Sequence, residues 1–241
     1  MQPKNRPSSA PSAPAMKMRP LVSGETKGIV KPFVVMYGMG GSGKTMLSFC
    51  VPNAVHVMTE YSTDRHAIFT DTWDDFERAV NNVPSEYPIV IDTIDGAWDF
   101  LNSKIAKKCG APTTAHVGFD KGMKEVVEVW NAFIRRLRSK HPFVMILGHE
   151  RMRIRQVGQH EDEVYTPMLH ERGTAILKGI SDATIYLRRE GATRKLIVRN
   201  VTDIDIKCRY KHWFSGQSII NLTSNPDEAE RLFCQQLETL T

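Results

Sequence analysis

Residues 33–45 limit most strongly what this chain can fold into. Pro32-Phe33-Val34-Val35-Met36-Tyr37 is a continuous apolar run, and Gly38-Met39-Gly40-Gly41-Ser42-Gly43-Lys44-Thr45 follows it directly. An apolar run without polar alternation reads as a strand buried on both faces, as in a parallel sheet. Helical character resumes at Met46-Leu47-Ser48-Phe49-Cys50 and stops near Pro52. Between the two, four glycines let the backbone curl tightly and aim its N–H groups at an anion with no side chain in the way. Gly38-x-x-x-x-Gly43-Lys44-Thr45 fits the P-loop pattern at every required position, with the strand before it and the helix after it that the pattern needs. Gly38 to Thr45 therefore read as a phosphate cradle. Lys44 is the cation that reaches the β- and γ-phosphates, and Thr45 is a hydroxyl ligand for Mg²⁺.

The rest of the pattern is an alternation of strands and helices. Residues 54–58 form a second strand ending at Thr59-Glu60, and residues 67–69 a brief third. A helix opens at 71–75 with acids in its first turn, where the macrodipole favours them. Residues 87–92 make another buried strand with Asp92 at its tip. The polar stretch 102–119, which holds Gly110 and Pro112, reads as a loop. From about 120 to 140 an amphipathic helix carries Met123, Val126, Val127, Trp130, Phe133, Ile134 and Leu137 at helical spacing. A further strand, 143–147, ends at Gly148-His149. Such alternation implies an α/β fold, mainly a parallel sheet with helices on both faces. Beyond Arg151 the segments 184–187 and 196–198 suit antiparallel strands added at the C-terminal end.

At 241 residues the chain has room for one such domain and a core. The formal charge of +5 is concentrated at the N-terminus, where Lys4, Arg6, Lys17, Arg19, Lys27 and Lys31 face only Glu25. That segment opens with five prolines and three serines in its first 20 residues and too little apolar surface to offset the entropy of ordering. Residues 1–27 read as a flexible basic arm, and 28–241 as the folded domain. The arm is either a nucleic-acid contact through phosphate neutralisation or a solubilising tail. Cys50, Cys109, Cys208 and Cys234 show no metal-ligand or redox spacing, which suits reduced thiols in a cytoplasmic protein. No apolar run is long enough for a membrane span, and no secretory signal is apparent.

Other residues take roles from their place relative to the glycine loop. Asp92, at a strand tip, is the expected carboxylate for Mg²⁺ through the surrounding shell, or an acid ending a strand. Thr93 after it could orient a water or sense the γ-phosphate. Glu60 can orient or deprotonate the water that attacks a γ-phosphate, or simply ends its strand exposed. His149 either contacts a γ-phosphate or is satisfied by backbone groups. Neither His149-Glu150 nor His170-Glu171 reaches a second histidine at zinc-protease spacing. Arg151, Arg153 and Arg155 share one face when extended, and Lys104, Lys107 and Lys108 fall in the expected loop. They are either a phosphate-backbone path or solvated faces, and no aromatic residues interleave with the arginines.

The order of these parts resembles the RecA-like recombinase ATPases, and in particular the small phage-type nucleotide-binding AAA proteins linked to single-strand annealing. The resemblance is carried by Gly38–Thr45, Thr59-Glu60-Tyr61, Val90-Ile91-Asp92-Thr93, Ile146-Leu147-Gly148-His149-Glu150, Tyr165-Thr166-Pro167 and Lys207-Cys208-Arg209, over about residues 30–212. It implies a RecA-like core that binds Mg·ATP, with Glu60 as catalytic carboxylate and His149 as sensor. Lys207 and Arg209 would be offered to a neighbour's nucleotide in a homo-oligomeric ring or filament. Loops after Asp92 and His149 would line a path for single-stranded DNA, with a recombination or replication protein as a further partner and the host cytoplasm as the location. A nucleotide or small-molecule kinase, or an ATP-dependent assembly switch, are the competing functions.

Overall fold

The computed structural model describes residues 31–157 and 160–240. The arm assigned to residues 1–27 lies outside the described residues. Five strands, β1 (Phe33–Gly38), β2 (Val55–Met58), β3 (Ile68–Phe69), β4 (Ile89–Asp92) and β5 (Val144–Val157), run parallel in the order β1-β5-β4-β2-β3. Odd-numbered residues of β1 and β4 and even-numbered residues of β5 (Phe33, Val35, Ile89, Ile91, Val144, Ile146) pack on one face. There they meet α2 (Trp73–Asn82), α3 (Ile94–Lys108), α4 (Lys121–Lys140) and α5 (Glu171–Ile180). Val34, Met36, Val90, Met145 and Leu147 pack on the other, against α1 (Lys44–Ser48) and α6 (Pro226–Glu238). Covering both faces is why these strands are apolar throughout rather than alternating.

On the far side of β1 the order continues β7 (Ala183–Glu190), β8 (Thr193–Ile197) and β10 (Ile219–Leu222). Strand β7 meets the expectation for 184–187 on one side only: it pairs antiparallel with β8, which pairs antiparallel with β10, but in parallel with β1, Val34 opposite Ala183. The cause is α5, which carries the chain back to the starting edge of the sheet. A crossover of this kind makes the next strand parallel. Two short partners lie off the path and are also antiparallel, β6 (His160–Pro167) on β5 and β9 (Lys207–Cys208) on β7.

The loop expected over 102–119 is also corrected, because α3 extends to Lys108. The Thr93 hydroxyl caps its start by accepting from the Gly96 N–H at 3.3 Å. Leu101, Ile105 and Ala106 are buried on its inner side, while the polar residues of the stretch point outward. At 1.5 Å per residue, α3 carries Lys104, Lys107 and Lys108 roughly 15–20 Å from the sheet edge where it starts. Lys104 pairs with Asp74 at 2.6 Å and Lys108 with Glu125 at 2.5 Å.

Candidate functional site

Strands β1, β2 and β4 end on the same edge of the sheet, the edge where open α/β sheets bind ligands. Gly41 (φ 72°) and Gly43 (φ 101°) hold left-handed conformations that turn the loop after β1 back on itself. Gly38 is required for a different reason, since a Cβ there would fall 2.2 Å from the Leu187 carbonyl oxygen of β7. Lys44 folds across the loop and donates to the Gly38 and Met39 carbonyls at 2.8 and 2.9 Å. Its burial lowers the ammonium's pKa, and nearby Asp92 and Asp95 oppose that shift. Thr45 Oγ1 donates to Asp92 Oδ2 at 2.6 Å. Burial raises the Asp92 pKa, against the Thr45 hydrogen bond and the Lys44 charge. A hydroxyl beside a buried carboxylate offers the hard oxygen donors that Mg²⁺ takes, so Thr45 and Asp92 fit the role expected of them.

Lys44, Thr45, Glu60, Asp92, Thr93 and His149 line one cavity of about 320 Å³. Glu60 Oε1 accepts from Thr93 Oγ1 at 3.3 Å and stands 4.0 Å from His149 Nδ1. His149 is fixed by Asp95, a residue that sequence reasoning passed over. Asp95 Oδ1 accepts from the His149 backbone N–H at 3.0 Å, and its Oδ2 lies 2.8 Å from Nδ1. The Asp95 hydrogen bond raises the His149 pKa against the effect of burial. Burial would raise the Asp95 pKa, but the bonds from His149 outweigh it and leave the carboxyl below its ordinary range. Glu60, Asp95 and His149 bring their ligand atoms within 4.8 Å of one another, close enough for a cation, though Asp95 is committed to His149. The available signal for Asp95 was an acid in the first turn of the helix that Thr93 caps.

No loop follows His149; β5 continues into a hairpin with β6. The three arginines do share a face, but each is engaged. Arg151 donates to the Leu169 carbonyl, Arg153 to Glu171 (2.8 Å) and the same carbonyl (3.0 Å), and Arg155 to Thr202 O (3.3 Å). Lys207 and Arg209 sit with β9 beside the start of β7, and Ala183 of β7 is level with Val34 rather than Gly38. About four strand residues, or ~13 Å, separate that level from the P-loop of the same chain. Lys207, expected to be offered to a neighbour's nucleotide, is engaged within this chain: its Nζ donates to the Lys178 and Ser181 carbonyls at 2.5 and 2.8 Å and ties down the end of α5. Arg209 lies 3.7 Å from buried Asp182, with its side chain 45% exposed.

A P-loop on the central parallel strand, with a lysine over its mouth and a hydroxyl–carboxylate pair beside it, defines a P-loop nucleoside triphosphatase. The AAA domain family matches residues 31–227, and the chain belongs to it. A solved structure described as the crystal structure of the RadB recombinase is similar at 12% identity, covering 82% of this chain and 89% of that one, with a TM-score of 0.48. No curated protein matches the chain in sequence. Among the described residues, no helix is long and apolar enough to cross a membrane.

Proposed function

We propose that this chain is a Mg²⁺-dependent ATPase that assembles as a homo-oligomer and couples hydrolysis to single-stranded DNA in phage-type recombination or annealing. The observation that carries the catalytic part is the convergence of Lys44, Thr45, Asp92, Glu60 and His149 on one cavity. Loop N–H groups and Lys44 bind the phosphates. Glu60, steadied by Thr93, takes a proton from the water that attacks the γ-phosphorus as the bond to the bridging oxygen breaks. His149 offers Nε2, with Nδ1 held by Asp95. Thr45 and Asp92 would hold Mg²⁺, which would supply charge neutralisation on the phosphates. The DNA part rests on the resemblance and on the arginine face of β5. A mobile lid of the kinase kind is disfavoured at Arg151–Arg155, because these residues lie in a paired strand.

The test is ATP turnover with and without single-stranded DNA, in wild type and Lys44→Ala. Turnover that DNA stimulates and that the variant abolishes supports the reading. Phosphoryl transfer to a small acceptor, nucleotide binding without turnover, or wild-type turnover in the variant overturns it.

A further inference from the structure

The β7–β8 hairpin carries a feature that its own stability does not explain. Arg189 and Arg194 stand directly opposite each other in the antiparallel ladder. Like charges in that relation are destabilising. Their neighbours have partners: Arg188 pairs with Asp203 at 3.5 Å and Lys195 with Glu190 at 2.6 Å. Among the described residues no carboxylate lies within salt-bridge distance of Arg189 or Arg194. The Arg194 guanidinium turns instead onto the P-loop, and that of exposed Arg189 is shared between the P-loop and its own turn, where Nε donates to the Gly191 carbonyl at 3.0 Å. Arg194 Nε donates to the Ser42 carbonyl at 3.0 Å, and Arg189 NH1 to the Gly41 carbonyl at 3.4 Å. The Arg194 guanidinium fills the space left by the missing side chain of Gly43, where a Cβ would come 2.8 Å from Nε. Arg194 NH1 is enclosed there and has no hydrogen-bond partner, as is also true of Ser42 Oγ in the loop itself.

A like-charge pair placed against the carbonyls of a phosphate-binding loop is matched by an anion in that loop. We propose that Arg189 and Arg194 are a second, sequence-distant part of the nucleotide site. Arg194 is a positioning residue that holds the Ser42 carbonyl outward, so that the loop N–H groups face the phosphates. The two guanidinium charges together are balanced only when a polyphosphate is bound. The ligand class is therefore a nucleoside triphosphate recognised through its phosphates rather than its base. This proposal rests on reading the cavity as a nucleotide site.

The experiment measures dissociation constants for Mg·ATP and for Mg-tripolyphosphate, steady-state KM and kcat, and nucleotide-free Tm. The proteins are wild type, Arg189→Ala, Arg194→Ala, Arg194→Lys, the double alanine variant, and Lys195→Ala as a control for charge elsewhere on the hairpin. Arg194→Ala is expected to weaken both ligands by about 10-fold, the usual effect of losing one charge-assisted interaction, and the double variant by more. KM should rise with kcat held within a few-fold at saturation. Arg194→Lys should recover part of the affinity, Lys195→Ala should bind like wild type, and nucleotide-free Tm should stay level or rise as the repulsion is relieved. Wild-type affinity in the double variant overturns the proposal. So does an affinity loss that Lys195→Ala reproduces, or one matched by an equal fall in nucleotide-free Tm. If Arg194→Ala does not fold, Arg189→Ala and Arg194→Lys decide by the same affinity and Tm criteria. If wild type binds neither ligand, the nucleotide reading itself fails, and that outcome is separate from the behaviour of the arginines.

Discussion

Replacing Asp95 by Asn changes one atom and tests how His149 is held. The native carboxylate accepts two bonds from His149, 3.0 Å from the backbone N–H and 2.8 Å from Nδ1, and its side chain is only 6% exposed. An amide has one oxygen, so one bond survives and an NH₂ group faces the other N–H. Losing one hydrogen bond to a charged group costs about 1.5–3 kcal/mol. At roughly 2–4 °C per kcal/mol for a domain of this size, Tm should fall by about 3–12 °C. The loss depends on pH in a defined direction. His149 has a folded pKa above its ordinary 6.5, so its share of stability is complete below 6.5 and fades as pH rises through the raised value. Asp95 has a folded pKa below its ordinary 3.8, so its share is complete above 3.8 and fades as pH falls through the depressed value. The deficit of the variant is therefore largest between 3.8 and 6.5 and narrows in alkali. A neutral imidazole can also move its proton to Nε2 and accept from the new amide, which narrows the gap further. Thermal unfolding of both proteins without nucleotide, at about pH 5.5 and about pH 9, is the assay. Equal deficits at the two pH values, or none at either, would show that Asp95 does not act through His149.

The site carries three more expected outcomes. Glu60→Gln should keep Mg·ATP affinity while turnover falls by about 10²–10⁴-fold, and a change of only a few-fold moves the base elsewhere. Changing Arg151, Arg153 and Arg155 together to Ala should flatten the dependence of single-stranded DNA affinity on salt by about 0.7 in log–log slope for each phosphate no longer neutralised, read by fluorescence anisotropy. An unchanged slope places the DNA path off this face. Arg209→Ala mixed with Lys44→Ala should recover part of the turnover that each lacks alone, as a shared site demands; no recovery in demonstrably mixed assemblies confines Arg209 to its pairing with Asp182.

The phosphate loop was legible because its chemistry is local. Glycines in left-handed or crowded positions, a lysine and a hydroxyl must be contiguous, and an apolar run must precede them. Asp92 and Glu60 were legible because buried strands end visibly and a parallel sheet brings those ends to one edge. Asp95 was not, because its place depends on register: α3 starts at Ile94 behind the Thr93 cap, and this brings the Asp95 carboxylate beside His149 of another strand. The second half of α3 was misread because its outer face carries Asn102, Ser103, Lys104, Lys107 and Lys108, so polarity outweighed the Leu101, Ile105 and Ala106 spacing within. Lys207 was offered to a neighbour only by resemblance, because sequence order gives no account of what a side chain faces. What it faces, here the carbonyls ending α5, is set by tertiary packing.

Strand β5 gives this architecture a physical link between the cavity and the hairpin. Gly148 packs so closely on α3 that a Cβ would stand 3.1 Å from the Ile94 side chain and 3.5 Å from Asp95 Oδ1. The strand and the first turn of α3 are therefore in close contact at this point. His149 enters the cavity one residue on, and Arg151 is tied to Leu169 two residues further. The partner strand β6 is tied to the P-loop strand as well, because the buried Tyr37 hydroxyl lies 3.0 Å from the Tyr165 and Asp205 carbonyls and donates to them. A displacement of His149 by the γ-phosphate would pass along a paired, hydrogen-bonded ribbon rather than a flexible loop. In the proposed ATPase, phosphate and DNA would be coupled through the orientation of this ribbon, and Asp95, which fixes His149 at its base, should affect both.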